Sequence, residues 1–199
     1  VKIIMIRPGA PLPADADLIL LPGSKTTRQD LKALYAEGWD IDIRAHVRHG
    51  GLVVGLCAGY QMLGHTVADP HGIEGPAGIT KGLGLLDIKT TLVERKQLTK
   101  ATGRELKTQA SVRGYEMHIG RTSGPDTCRP MLELDGRPDG AVSSDGKVMG
   151  CYLHGLFAAD PFRRSFLHRI HAGAISTEAY ETLVEQTLDA LADHLEQHI

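Results

Sequence analysis

Apolar residues along this chain follow two rhythms. Short, partly β-branched runs bounded by glycine or proline occur at Val1 to Ile6, Leu18 to Leu21, Leu52 to Leu56 and Lys147 to Leu153. Runs of that length suit strands buried on both faces of a sheet. Between them the period changes: Thr26 or Thr27 caps a helix reaching about Ala36, and Ile43 and Val47 give Trp39 to His49 a helical spacing that Gly50-Gly51 stops. The first 65 residues therefore alternate β and α. That is the pattern of an α/β fold, a doubly wound, mostly parallel sheet flanked by helices.

Beyond this point the pattern predicts a helix from Tyr60 to Val67, and a loop from Asp69 to Gly84 where glycine and proline are dense. Leu85 to Val93 and Thr102 to Val112 read as exposed antiparallel strands joined by a charged hairpin, an extension of the parallel core. In Gly114 to Thr122, alternation points Tyr115, Met117 and Ile119 one way and Glu116, His118 and Gly120 the other. Asp126 to Gly140 is turn-rich. Phe162 to Ile170 reads as a basic helix, and Thr177 to His198 as a last amphipathic one whose stripe of Leu183, Val184, Leu188, Leu191 and Leu195 predicts packing.

At 199 residues this is expected to be one domain, and 42% hydrophobic with 23% charged residues is ordinary globular composition. A formal charge of −2 gives no basic field for nucleic acid. No apolar run approaches the roughly 20 residues of a membrane span, and no signal-peptide layout opens the chain, so a cytoplasmic location is expected. Cys57, Cys128 and Cys151 are odd in number and widely spaced, which implies neither a disulfide framework nor a zinc knuckle. His46 and His49 lie three apart without a nearby cysteine or acidic cluster, so no metal site is expected. The chain begins at valine, and we expect a piece of something longer.

The chemistry concentrates at Gly55-Leu56-Cys57-Ala58-Gly59, where a strand meets a helix. Small residues on both sides of a nucleophile are what a tight strand-to-helix elbow needs, and the elbow sets the sulfur at a helix N-terminus, where amides favour the thiolate. Cys57 is the candidate nucleophile. Pro22 to Thr27 is not a Walker loop, because Ser24 stands where that motif needs glycine before the lysine. Its glycine turn, at the carboxyl end of a strand, can still offer an N–H to an oxyanion. His154 follows the end of another strand, at the edge where open α/β sheets keep their ligands, and is the candidate base.

Four ordered motifs span most of the chain: Leu21-Pro22-Gly23-Ser24-Lys25-Thr26, Gly55 to Gly64, Gly114 to Thr122, and Tyr152-Leu153-His154-Gly155-Leu156-Phe157. Together they resemble the class I, triad-type glutamine amidotransferases, a flavodoxin-like fold. Within these the chain is most similar to the C-terminal glutaminase domain of cobyric acid synthases. The resemblance implies that Cys57 attacks the glutamine amide, that backbone N–H groups of Ala58 and the Gly23 turn hold the oxyanion, that His154 relays the proton, and that Gln61 orients the substrate. It implies no cofactor in this domain. The upstream synthetase domain of the same chain would use ATP and Mg2+ to amidate adenosylcobyrinic acid a,c-diamide.

Two departures matter. Ala58 stands where the family has glycine, and Leu156 where ordinary triads carry the glutamate that orients the histidine. The site is therefore expected to be a Cys-His dyad and a sluggish glutaminase by itself. Glu116 is the first candidate for a substitute carboxylate, Asp160 the second. The first strand usual in this lobe is also expected to be missing ahead of Val1. Competing readings are a glutaminase subunit paired with a Mur-ligase-like partner acting on peptidoglycan lipid precursors, and a non-catalytic binding module of the same fold.

Overall fold

The computed structural model describes residues 1–173 and 179–198, apart from the side chains of 95–97. Strand β1 (Leu18–Leu21) leads through α1 (Thr27–Ala36) and α2 (Trp39–Arg48) to β2 (Leu52–Leu56) and the short α3 (Ala58–Leu63). Strands β3 (Thr66–Asp69) and β4 (Gly78–Lys81) precede a long hairpin of β5 (Lys89–Glu105) and β6 (Ser111–Ser123). Short strands β7 (Leu132–Leu134), β8 (Arg137–Asp139) and β9 (Ala141–Val142) deliver the chain to β10 (Val148–Cys151) and β11 (Leu153–His154). The helices α4 (Asp160–Ile170) and α5 (Tyr180–His198) close it.

One sheet has the order β1-β2-β10-β9, parallel except for β9. Its central strand is covered on both faces, as its unbroken apolar run requires. Val53 and Val148 pack with Leu31, Leu34 and Ile43 of α1 and α2, whereas Val54 and Met149 pack with Leu156, Phe162 and Phe166. The helices supply matching stripes: Thr27, Leu31 and Leu34 are the buried residues of α1, and Phe162 and Phe166 those of α4. The predicted α/β class is borne out, and its antiparallel extension is a second sheet running β11-β6-β5-β3-β4, with β7 paired to β5 and β8 to β7.

Several local expectations are corrected. Val1 to Ile6 forms no strand and is largely exposed, and the outer edge of β1 has no described strand paired to it. The helix after Cys57 ends at Leu63, not Val67: Gly64 is extended, a Cβ there would come within 2.7 Å of the Ile88 carbonyl oxygen, and Thr66–Asp69 is recruited by β4 and β5. The predicted loop after Asp69 contains β4. The last helix has no buried residue; Leu188 and Leu191 are 53% exposed, so its stripe does not pack as expected, and Thr177 lies outside the described residues.

The run from Lys147 to Leu153 is not one strand either. It changes sheets at Tyr152, whose N–H donates to the Asp139 carboxylate at 3.0 Å, between β10 in the parallel sheet and β11 in the other. Burial pushes the Asp139 carboxyl up from 3.8 to about 6, and the nearby Glu116 charge adds to this. The native state thus holds this proton more tightly than the unfolded chain.

Two outcomes are expected. Phe162, 1% exposed, packs with Phe157 and Phe166 at ring separations of 5.5 Å, so Phe162→Ala should lower unfolding stability in urea by about 3–5 kcal/mol; Leu98→Ala, at a position 71% exposed, should change it by less than about 0.5 kcal/mol. Below about pH 4, Asp139 is protonated in both states, and between about pH 4 and 6 its preferential ionisation in the unfolded chain lowers stability as pH rises, by ~3 kcal/mol in total. Urea titrations at the two ends of that window should show this fall in the wild type relative to Asp139→Asn, whose amide oxygen can still accept from Tyr152.

Candidate active site

The turn between β2 and α3 is built from close backbone approaches. A Cβ on Gly59 would lie 2.0 Å from the Leu21 carbonyl oxygen, and one on Gly55 would lie 2.6 Å from the backbone of Gly59 and Tyr60. Only glycine lets the three segments meet at these distances. Between the two glycines, Cys57 adopts φ 53°, ψ −108°, a conformation costing an L-residue about 1–3 kcal/mol. Its N–H donates to the Cys151 carbonyl oxygen at 2.8 Å, which ties the elbow to β10. The Sγ lies 3.6 Å from the carbonyl oxygen of Met117, and Cys57 occupies the N-cap of α3, with Ala58 as its buried first residue. Burial keeps the other core thiol, Cys151, well above the usual range and therefore protonated.

His154 reaches the elbow from the other sheet. A Cβ on Gly23, in the turn after β1, would sit 3.7 Å from Cβ of Cys57 and 3.3 Å from Cε1 of His154. Cys57, His154 and the glycine turn thus converge. The imidazole stacks on Tyr115, its cross-strand partner, with centroids 4.9 Å apart and planes 4° apart. Its Nε2 is buried and has no hydrogen-bond partner.

No carboxylate among the described residues orients this ring. Leu156, at the usual glutamate position, is 1% exposed and belongs to the apolar cluster around Phe162. Glu116 shares a face with His118 as the alternation predicts, but its carboxylate pairs with Arg137 at 2.9 Å and approaches His118 at 4.0 Å; its cross-strand neighbour is Leu153, not His154. Asp160 bonds Arg163 and the Tyr180 N–H.

Gln61 is also placed differently from the expectation. It is 2% exposed, and its amide is used at both ends: Oε1 accepts from Thr27 Oγ1 at 3.3 Å, and Nε2 donates to Tyr152 Oη at 3.3 Å. The Tyr152 hydroxyl continues to Thr122 at 2.6 Å, and Thr122 to Thr90 at 2.7 Å. Burial pushes Tyr152 up to about 12, so the phenol stays a neutral link. Gln61 is a brace that ties α3 to α1 and, through Tyr152, to the antiparallel sheet. His118 stacks on the other side of this brace, 3.8 Å from the Tyr152 ring, and burial holds it below the usual histidine range and neutral.

The one Thr27 hydroxyl proton is shared between Gln61 and Glu74, 3.1 Å away, and Glu74 also accepts from the first amides of α1, where Thr26 makes no side-chain cap. Sequence reasoning missed Tyr115, Tyr152, Asp139 and Glu74, since each acts through a partner far away in sequence. The one local signal was the spacing of Tyr152 two residues before His154.

Residues 1–162 match the model of the CobB/CobQ-like glutamine amidotransferase domain. The chain is 58% identical over 98% of its length to a cobyric acid synthase of Cereibacter sphaeroides, of which it covers 40%. It is 55% identical over its full length to one of Bradyrhizobium diazoefficiens, of which it covers 41%. The chain thus spans about 40% of the length of the curated relatives it matches. Among solved structures, a glutamine amidotransferase superposes with TM-score 0.55 at 19% identity, covering 79% of this chain and 80% of that one. PurLQS from Thermotoga maritima gives 0.57 at 17%, covering 78% and 81%. Both show the same fold. The Gly-framed Cys57 turn and its histidine thus stand in a familiar scaffold, and the chain belongs to the CobB/CobQ-like glutamine amidotransferase domain family.

Proposed function

We propose that this chain hydrolyses glutamine through a thioester on Cys57 and passes the ammonia to an ATP-dependent amidation carried out by a synthetase portion of the same polypeptide. The acceptor is adenosylcobyrinic acid a,c-diamide, converted to adenosylcobyric acid in cobalamin biosynthesis. The observation that carries the glutaminase reading is the convergence of Cys57 and His154 on Gly23. The acceptor rests on relatives named cobyric acid synthase that match nearly the whole chain, and on their greater length. ATP and Mg2+ are assigned to that additional portion. No described helix is long and apolar enough to cross a membrane.

In this reading His154 takes the Cys57 thiol proton, the resulting thiolate adds to the side-chain amide carbon, and the carbonyl electron pair moves to oxygen. Ala58, at the first position of α3, has an N–H without an intrahelical partner, and the Gly23 turn supplies a second donor to that oxyanion. The tetrahedral species collapses as His154 gives a proton to the departing nitrogen, releasing ammonia and leaving the thioester. His154 then takes a proton from water, which displaces the thiolate and frees glutamate. The strained turn fixes Sγ before substrate arrives, so no backbone rearrangement is needed at the moment of attack.

Cys57→Ala in the complete polypeptide should abolish glutamine-dependent amidation while ammonia-dependent amidation continues at the wild-type rate; loss of both together would argue against the assignment. His154→Ala should slow labelling of Cys57 by a glutamine-mimicking electrophile by at least about tenfold, read by mass spectrometry of the intact protein. Undiminished labelling would show that His154 does not activate the thiol.

A further inference from the structure

Histidine in a nucleophile–base pair needs its ring plane fixed, and a hydrogen-bonded carboxylate ordinarily does this. Here that position is the buried Leu156, Glu116 is engaged by Arg137, and the buried Nε2 of His154 has no partner. What meets the imidazole is an aromatic face. Because β6 and β11 are antiparallel with Tyr115 directly opposite His154, both side chains leave the same face of the sheet. Their rings lie parallel to within 4° at 4.9 Å, and Gly23 closes the Cε1 edge.

Resting on the dyad assignment above, we propose that Tyr115 is a positioning residue for His154, its ring holding the imidazole plane beside Cys57 in place of an orienting carboxylate. Stacking fixes tilt and plane, which alignment requires, and leaves the proton free to occupy either nitrogen. The phenol hydroxyl is not part of the device: Tyr115 is 40% exposed, and among the described residues its hydroxyl makes no hydrogen bond. The flat ring is therefore the required feature. Leucine has comparable bulk but no plane to impose.

The test is steady-state glutamine hydrolysis by the complete polypeptide in wild-type, Tyr115→Phe and Tyr115→Ala forms, with ammonia-dependent amidation measured alongside. Tyr115→Phe should keep kcat within about twofold, whereas Tyr115→Ala should lower kcat by roughly tenfold or more with KM little changed, and amidation from ammonia should be equal in all three. If the alanine form loses ammonia-dependent amidation, Tyr115→Leu replaces it with the same expected fall in kcat. Wild-type kcat in the alanine or leucine form would overturn the proposal. So would a phenylalanine form as slow as alanine, which would assign the role to the hydroxyl, or a loss confined to KM, which would make Tyr115 a substrate contact. Glutamine hydrolysis that survives Cys57→Ala would instead sink the dyad assignment beneath it.

Discussion

The contact on which the site depends is the near-touch of two backbones, Gly59 of α3 against the carbonyl of Leu21 in β1. A side chain on either glycine of the elbow would separate the helix from the sheet by more than any neighbour could absorb. With those side chains absent, α3 starts immediately at the strand end and Cys57 is forced into its unusual backbone conformation. The parallel sheet contributes the rigidity. β2 is hydrogen-bonded on both sides and packed on both faces, so the strain at Cys57 is held by a core that cannot relax around it.

Around this fixed point the polar residues form a bracing chain, not a substrate-facing array. Thr27, Gln61, Tyr152, Thr122 and Thr90 run from the first helix through the elbow helix into the antiparallel sheet, each satisfied by the next. Buried polar groups that are fully paired specify one arrangement, because any slip leaves a donor or acceptor without water or partner. The chain therefore fixes how α1 and α3 sit against the antiparallel sheet.

The elbow was legible in the sequence because its causes are local: glycine spacing, a cysteine and an apolar run lie within ten residues of one another. His154 was legible from its place at a strand end. The substitute for its missing carboxylate was not, since the stack on Tyr115 depends on a register between β6 and β11 that no local pattern encodes. Gln61 misled for the opposite reason. One helical turn past the nucleophile it looks aimed at substrate, but Thr27 and Tyr152, brought in by tertiary packing, claim its amide. Val1 to Ile6 shows the remaining limit: composition favours a strand, yet the run is exposed and pairs with no described strand.

Tyr152 belongs to neither sheet. Because the chain crosses at that residue, Cys57 follows a strand of the parallel layer while His154 ends a strand of the antiparallel one. Their spacing is therefore set by how one layer is joined to the other, and at the crossing the backbone is held by a single carboxylate, that of Asp139.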